Sequence, residues 1–227
     1  LLARSVNVDG PDNLATAGVK FGIPLIHVST DYVFDGQKNG AYREDDPIAP
    51  LGIYGQSKAE GDDKVRNILS RHVIVRTAWF YGVHGHNFVK TILRLAKERE
   101  TLRIVDDQRG CPTFAGDLAS ALLTVAKQIE SGRTDAWGTY HYCGAGETTW
   151  YGFARKIIDL AGSHLTLKAK NIIPITTAEY PTPARRPANS VLDCSKFRRT
   201  FGVNQAPWPD SLARMLDEWL ASPEASA

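Results

Sequence analysis

A tyrosine and a lysine four residues apart form the pair in this sequence best suited to proton transfer. Tyr54 and Lys58 stand in the string YGQSK at 54–58. The string opens a predicted helix, so both side chains lie on one face of it. An ammonium beside a phenol favours the phenolate and lowers a pKa that starts near about 10. Such a tyrosine can exchange protons near neutral pH, although a simple exposed helix pair has the same spacing.

Two hydroxyl side chains precede this pair, at the end of a predicted strand. Ser29 and Thr30 follow the apolar run LIHV at 25–28. Ligands of parallel α/β sheets bind beyond the carboxyl ends of the strands, where a hydroxyl can donate to a bound oxygen. Hydroxyls that cap the local backbone are the structural alternative. The Tyr54–Lys58 pair follows one loop after this strand, which favours the catalytic interpretation.

Short apolar runs alternate with helix-like segments along the chain. The predicted strands cover 25–29, 72–76, 102–105 and 139–143, and the predicted helices cover 1–18, 54–69, 88–99, 115–129, 148–161 and 211–220. In the first helix, Leu2, Val6 and Leu14 are the expected inward positions. Six prolines between 170 and 209 exclude a long helix there. The alternation predicts an α/β fold, a doubly wound parallel sheet covered on both faces.

The composition excludes several classes of protein. The chain has 227 residues, 43% of them hydrophobic and 23% charged, as in ordinary globular domains. A net charge of +2 gives no reason to expect nucleic acid as a partner. No apolar run reaches the roughly 18 residues that span a bilayer, so no membrane role is expected. The three cysteines lack zinc-site spacing and predict reduced thiols in the cytosol, with no metal site.

Several longer strings carry a resemblance to a known family. They are STDYVFDG at 29–36, REDDPIAPLGIYGQSKAEGD at 43–62, RTAWFYG at 76–82, NFVKTILRLAKER at 87–99, DDQRGCPT at 106–113 and ARRPANSVLD at 184–193. Together they resemble the dTDP-4-dehydrorhamnose reductase family, in the nucleotide-sugar branch of the extended short-chain dehydrogenase/reductases. The resemblance covers essentially the whole chain. It implies a bacterial cytoplasmic enzyme that reduces dTDP-4-dehydro-6-deoxy-L-mannose to dTDP-L-rhamnose with NADPH or NADH.

The resemblance also implies a role for each matching residue. Tyr54 would be the general acid at the sugar C4 oxygen, and Thr30 would polarise the C4 carbonyl, with Ser29 as the neighbouring candidate. Lys58 would lower the Tyr54 pKa and bind the nicotinamide ribose. Cofactor contacts would come from Ser29, Tyr54 and Lys58. The residues expected to bind the dTDP-sugar are Tyr32, Trp79, Asn87, Gln108, Arg185 and Arg186.

The family's glycine-rich GxxGxxG turn has no counterpart in this sequence. That turn holds the cofactor pyrophosphate at a helix N-terminus. We therefore expect roughly 70 to 80 further residues upstream, about half of a nucleotide-binding domain. Residues 1–165 would form the rest of the Rossmann-type domain with some substrate-lobe insertions, and 166–227 mainly the substrate-binding lobe. The preference between the two cofactors cannot be assigned to any residue, and the oligomeric state stays open, a homodimer included.

Two other functions stay open at this point. The pocket residues, not Thr30, Tyr54 and Lys58, choose the sugar, so another nucleotide-sugar reductase or epimerase of the same branch fits the pattern. A non-catalytic relative that binds a nucleotide and a partner protein is the third interpretation. Such a binding module has no need to keep all three of those side chains, and all three are present.

Overall fold

The computed structural model describes residues 2–222, in which helices and strands alternate. The helices are α1 (Leu2–Arg4), α2 (Gly10–Phe21), α3 (Ile53–Ile68), α4 (Phe88–Glu98), α5 (Ala115–Glu130), α6 (Trp150–Ala161), α7 (Ser195–Phe201) and α8 (Trp208–Leu220). The strands are β1 (Leu25–Thr30), β2 (His72–Thr77), β3 (Phe80–Tyr81), β4 (Thr101–Val105), β5 (Arg109–Gly110), β6 (Thr113–Phe114), β7 (Gly138–His141), β8 (Thr148–Thr149) and β9 (Asn171–Ile175). Across this part of the chain, none of the helices combines the length and apolarity needed to cross a bilayer.

The chain divides into two compact units, each built from separate stretches of sequence. The first unit takes the chain up to Ala78 together with Ala119–Tyr142 and Ala184–Asn204. The second takes Trp79–Leu118, Cys143–Pro183 and the chain from Gln205 onwards. The sequence-based division at residue 165 stays a prediction.

The first unit is organised around a parallel sheet with the strand order β1-β2-β7. β1 pairs with β2 in a register that places Leu25 opposite His72 and Thr30 opposite Thr77. All six residues of the central strand β2 are buried, as expected of a strand that is covered on both faces. The predicted α/β class with a parallel sheet is therefore confirmed. Because both strands run the same way, Thr30 and Thr77 lie at the same, carboxyl edge of the sheet.

Helix α3 is fixed to this sheet by its second half. Val65 and Leu69 pack with Ala15 of α2 and Ile74 of β2, and each of the four is at most 5% exposed. The apolar spacing of Val65, Ile68 and Leu69 predicts these as the inward positions of the helix, and the burial of Val65 and Leu69, with Ile68 packed against them, confirms it. Burying a Val or Leu side chain contributes roughly 1.5 to 3 kcal/mol, so these contacts hold the far end of α3 firmly. The first turn of α3, which carries Tyr54, is left at the carboxyl edge of β1.

The second unit has shorter strands and an aromatic core. β4 pairs in parallel with β9, β3 with β6, and β5 lies antiparallel to β8. Phe88 of α4 stacks on Phe153 of α6 with ring centroids 5.5 Å apart. Trp208 of α8 meets Phe153 edge-on at 5.6 Å. These aromatic pairs join α4, α6 and α8.

The structure differs from the sequence prediction in the first helical segment and adds elements in the proline-dense region. The expected inward positions Leu2, Val6 and Leu14 are 78%, 63% and 57% exposed, and the buried positions are instead those of Val8 and Ala15. A π-helical turn at Ser5–Asp9 shifts the phase of the helical pattern between α1 and α2. Within the proline-dense region, β9 and α7 form despite the prolines.

Candidate active site

A close approach of two backbone segments positions the first turn of α3 against the end of β1. The residues after β1 form a tight 3-10 turn at Asp31–Val33. Gly55 faces this turn, and a Cβ atom built on it would lie only 2.1 Å from the Tyr32 carbonyl oxygen. Real Cβ atoms do not approach oxygen that closely, so only glycine allows α3 to pack here. Tyr54, the preceding residue, is thereby held beside the end of β1.

The predicted Thr30 and Tyr54 lie close together. The Thr30 hydroxyl is near enough to the Tyr54 phenol to act on its pKa, which it lowers. It also accepts a hydrogen bond from the Tyr32 backbone N–H at 3.2 Å and donates one to Asp31 Oδ1 at 3.0 Å. The Tyr32 ring meets the Tyr54 ring edge-on, with centroids 6.0 Å apart. The structure therefore brings together the hydroxyl and the phenol that the sequence pattern placed at one edge of the sheet.

The pKa of the Tyr54 phenol is raised, which differs from the expectation that Lys58 lowers it. Burial is the main cause, because it disfavours the charged phenolate, and the carboxylates of Asp31 and Asp62 act in the same direction. The Thr30 hydroxyl opposes them. A raised pKa keeps the Tyr54 proton in place at neutral pH, which suits a proton donor.

Lys58 is directed to the backbone of β1. Its Nζ donates a hydrogen bond to the Val28 carbonyl oxygen at 2.8 Å. Burial lowers the pKa of this ammonium, and the Asp62 carboxylate, one helical turn further along α3, counteracts that effect. The ammonium carries three N–H groups, so donors remain beside the Val28 contact for hydroxyl oxygens of a ligand.

Ser29 belongs to a buried charge network. Its hydroxyl donates to Asp62 Oδ2 at 2.9 Å, and Arg76 Nε lies 3.4 Å from the same oxygen. His27 Nε2 lies 3.5 Å from the other oxygen, Asp62 Oδ1. The side chains of Asp62 and Arg76 are at most 1% exposed. These donors hold the pKa of Asp62 below its ordinary value although burial acts to raise it.

The remaining predicted residues of the first unit lie near the Asp31–Val33 turn or in the segment 184–204. Burial raises the pKa of Tyr32 to about 12, so its phenol is neutral. The positive charge of Arg186 acts against that rise. Arg185 and Arg186 are both exposed. Gly36 packs against Pro187, so close that a Cβ there would lie 2.5 Å from the proline Cβ, and this contact fixes the arginine segment to the loop after β1.

In the second unit, Trp79 has a strained backbone and a tightly enclosed ring. Its φ angle is 45°, and among the described non-glycine residues no other has a positive φ. Its indole stacks on that of Trp150, with centroids 3.6 Å apart and an interplanar angle of 5°. A Cβ on Gly110 would lie 2.3 Å from the Trp79 ring, so glycine is required beneath it. Strain of this kind recurs at ligand sites, and the sugar-binding role expected of Trp79 stays a prediction.

Gln108 and Asn87 are held by hydrogen bonds within the second unit. Gln108 is 6% exposed, donates to Thr177 Oγ1 at 2.9 Å and accepts from Trp150 Nε1 at 3.2 Å. Asn87 caps α4 by accepting from the Lys90 N–H at 3.2 Å, and its amide donates to the Gly82 carbonyl at 2.7 Å. Gln108 thus supports the Trp79–Trp150 stack through its hydrogen bond to Trp150. Asn87 is the N-cap of α4, a structural role that its position just before the helix also allows.

Two buried carboxylates beside the predicted residues were missed by the sequence interpretation. Asp31 belongs with Asp35, Glu44, Asp45 and Asp46 to a loop-rich acidic stretch whose carboxylates the sequence predicts to be solvated, and it is instead 3% exposed and bonded to Thr30. Asp62 was not singled out, although it stands four residues after Lys58 on the same helix face. That spacing was the signal available for Asp62. Within residues 2–222, no group of three or more His, Cys, Asp or Glu side chains is arranged to hold a metal ion.

A nicotinamide cofactor fits what the first unit offers at the carboxyl edge of β1. The hydrogen-bond donors there are the neutral phenol of Tyr54, the hydroxyl of Thr30 and the half-buried ammonium of Lys58, which keeps further N–H groups beside its Val28 contact. Such donors match the hydroxyl oxygens of a ribose and the carbonyl oxygen of a carboxamide. Tyr54 and Lys58 are the residues that would hold the nicotinamide ribose.

The fold and these side chains define a class: a Rossmann-type α/β oxidoreductase with a Thr, Tyr and Lys set. The model of the family described as the RmlD substrate binding domain matches residues 1–221. The dTDP-4-dehydrorhamnose reductase of Aggregatibacter actinomycetemcomitans is 47% identical over 211 residues, which are 92% of this chain and 72% of that protein.

Solved structures agree with the sequence comparison. A crystal structure of a dTDP-4-dehydrorhamnose reductase from Clostridium acetobutylicum superposes with a TM-score of 0.88 at 39% identity, covering 96% of this chain and 73% of that one. The Bacillus anthracis enzyme in complex with NADP gives a TM-score of 0.83 at 39% identity, with 93% and 72% covered. The chain belongs to the dTDP-4-dehydrorhamnose reductase family.

Proposed function

We propose that this chain reduces the C4 carbonyl of dTDP-4-dehydro-6-deoxy-L-mannose to give dTDP-L-rhamnose, with NADPH or NADH as the reductant. The observation that carries the proposal is the placement of Tyr54 beside Thr30, one helical turn from Lys58 at the carboxyl edge of β1. The identity of 47% to a reductase of that name supports the choice of sugar.

The protein's part in the reaction is to deliver a proton and to polarise the carbonyl. The bound nicotinamide cofactor supplies the hydride. Tyr54 donates its phenolic proton to the C4 oxygen as negative charge develops there, and its raised pKa ensures that the proton is present at neutral pH. The Thr30 hydroxyl donates a hydrogen bond to the same oxygen and stabilises that charge.

Lys58 has a binding and an electrostatic role in this proposal. Its ammonium, fixed on the Val28 carbonyl, holds the nicotinamide ribose hydroxyls. Once Tyr54 has given up its proton, the nearby positive charge favours the phenolate that remains. Asp62 supports this role because it opposes the loss of the Lys58 proton that burial would otherwise promote.

Recognition of the dTDP-sugar is assigned by resemblance to residues in each unit. An exposed guanidinium of Arg185 or Arg186 suits the diphosphate, since arginine binds phosphate oxygens in a bidentate manner. Aromatic and amide side chains suit the sugar and the base. They are Tyr32, Trp79, Asn87 and Gln108. The same resemblance supports a cytoplasmic enzyme, and we keep a homodimer as part of the proposal.

The test is a kinetic one with matched variants. The protein is mixed with NADPH or NADH and the dTDP-4-dehydro sugar, and the loss of reduced cofactor is followed together with the identity of the product. Tyr54→Phe, which removes only the phenolic proton, should lower kcat by about 10² to 10⁴-fold. Tyr180→Phe is the control because Tyr180 is 58% exposed.

The outcome separates this proposal from its alternatives. Formation of dTDP-L-rhamnose with one cofactor oxidised per product supports the reductase. Inversion of a sugar centre without net oxidation of the cofactor indicates an epimerase. Binding of nucleotide without any turnover indicates the non-catalytic relative. Either of the last two results contradicts the proposal.

A further inference from the structure

The Thr30 hydroxyl has one proton, which the Asp31 carboxylate accepts. The two oxygens lie 3.0 Å apart, and the phenol of Tyr54, on whose pKa Thr30 acts, is close by. The Tyr32 N–H occupies an acceptor position of the same hydroxyl at 3.2 Å. A hydroxyl can donate only one hydrogen bond at a time. The direction in which Thr30 donates therefore depends on whether Asp31 accepts.

Asp31 is built into the structure as a buried carboxyl group. It is 3% exposed and sits in the turn that follows β1. Its Oδ1 accepts a hydrogen bond from the Thr30 hydroxyl at 3.0 Å, and its Oδ2 has no hydrogen-bond partner among the described residues. The Ser190 hydroxyl, from the segment that also carries the two arginines, acts to lower its pKa. The ionisable groups nearest to it are the phenols of Tyr32 and Tyr54, on both of which its charge acts. The guanidinium of Arg186 also acts on Tyr32, and the carboxylate of Asp62 also acts on Tyr54.

We propose that Asp31 is a positioning residue that sets the direction of the Thr30 hydroxyl, so that reduction requires Asp31 in its neutral, protonated form. The inference rests on the proposed function. When Asp31 carries its proton, it donates to Thr30, and the Thr30 proton is free for Tyr54 or the sugar carbonyl. When Asp31 is ionised, it captures the Thr30 proton and the carbonyl loses a donor. No bond is formed or broken by this switch, which only redirects hydrogen bonds.

Burial places the titration of Asp31 in the physiological range. It raises the pKa of this carboxyl to about 7, against the opposing effects of the Ser190 and Thr30 hydroxyls. The Tyr54 phenol, with a pKa raised from its ordinary value, stays protonated throughout this range. A loss of kcat/KM as the pH rises through about 7 is then due to Asp31 and not to Tyr54.

The first experiment compares pH profiles of kcat/KM for NADPH-dependent reduction by the wild type, Asp31→Asn and Asp45→Asn. Above its pKa, the protonated fraction of Asp31 falls about tenfold per pH unit, and wild-type kcat/KM should fall with it. Asp31→Asn is neutral at every pH and should lack this decline. Asp45→Asn removes one negative charge from a side chain that is 79% exposed, and should keep the wild-type profile. An Asp31→Asn profile parallel to the wild type would overturn the proposal.

A second measurement is independent of activity. The carboxyl carbon of Asp31 is followed by NMR as a function of pH in the wild type, Thr30→Val and Ser29→Ala. Removing the Thr30 donor should raise the Asp31 midpoint, because the ionised form loses a hydrogen bond. Ser29 donates to Asp62 instead, so Ser29→Ala should leave the midpoint where it is. An Asp31 midpoint that does not respond to Thr30→Val would also overturn the proposal.

The two proposals fail in different ways. Wild-type protein that reduces no sugar at any pH contradicts the proposed function, whatever Asp31 does. Wild-type protein that reduces the sugar, with the same pH profile in Asp31→Asn, contradicts only the role of Asp31. If Asp31→Asn does not fold, the NMR comparison of Thr30→Val with the wild type still decides whether Thr30 and Asp31 are coupled.

Discussion

Replacing Asp31 by asparagine should change how the stability of the protein depends on pH. Burial raises the pKa of Asp31 from 3.8 to about 7. A carboxyl whose folded-state pKa lies above its unfolded value gives full stability below the unfolded pKa, and this contribution is lost as the pH rises through the folded one. The difference of about 3 pKa units corresponds to about 4 kcal/mol, lost between about pH 4 and pH 7.

His141 has the opposite effect in an overlapping range of pH. Burial, assisted by the positive charge of Arg76, lowers the pKa of His141 from 6.5 to about 3. A histidine of this kind contributes stability above its unfolded pKa and loses it as the pH falls towards the folded one. Between about pH 4 and 6.5 the two groups therefore oppose each other, each with a slope of about 1.4 kcal/mol per pH unit.

The assay is urea unfolding of the wild type and Asp31→Asn at several pH values between about 4 and 8. Between about pH 4.5 and 6.5 the Asp31 slope opposes that of His141 in the wild type and is absent from Asp31→Asn. Over these two units the free energy of unfolding of Asp31→Asn should therefore rise by about 2 to 3 kcal/mol relative to the wild type. Asp45→Asn should follow the wild type. A pH dependence of Asp31→Asn that is parallel to the wild type would refute the assignment of a buried, neutral Asp31.

Three further predictions follow from the packing around the site. Gly55→Ala should lower kcat by about 10²-fold, because the added Cβ would collide with the turn after β1 and displace Tyr54. Gly52→Ala is the control and should retain wild-type kcat, because no atom lies within 4 Å of its added Cβ. Ser29→Ala should reduce the urea-derived unfolding free energy by about 1 to 3 kcal/mol, since the buried Asp62 loses a donor, and an unchanged value would contradict that bond. Asn87→Ala should cost about 1 kcal/mol by the same assay through loss of the α4 cap, and no change would count against the cap.

The parts of the fold that the sequence predicted are those with a strong local pattern. β1 and β2 are short apolar runs bounded by turn residues, and α4 has a clear apolar face, so both kinds of element could be recognised. The inward positions predicted for the first helical segment were wrong, because the large apolar Leu14 is 57% exposed while the small Ala15 next to it is buried. Helical periodicity reports which positions are apolar, and it cannot say which ones a neighbouring helix will cover.

β9 is absent from the predicted strands, because the proline density of this region indicated only that a long helix is excluded. Pro174 lies within this strand, opposite Ile104 of β4, in a two-stranded sheet. A strand in such a sheet has one free side, where a missing N–H costs nothing. Prolines exclude long helices, as expected, but they do not exclude a short edge strand.

Tyr54, Lys58 and Thr30 could be found from the sequence because their spacing relative to a strand and a helix is local. Asp31 could not be distinguished from its acidic neighbours, because Asp residues in loops are usually exposed. One of the groups that act on its carboxyl is the hydroxyl of Ser190, which is distant in sequence. The same is true of Trp79, whose strained backbone is supported by Gly110 and Trp150. The residues that hold the reactive groups in place become visible only in the folded chain.

The most direct test of the account is to follow the hydride itself. The protein is given NADPH deuterated at the transferable position together with dTDP-4-dehydro-6-deoxy-L-mannose, and the product is examined by NMR. The account predicts dTDP-L-rhamnose with one deuterium at C4, and Tyr54→Phe should slow its formation by about 10² to 10⁴-fold while Tyr180→Phe does not. Deuterium at another carbon, a product without deuterium, or an undiminished rate in Tyr54→Phe would contradict the proposed reaction.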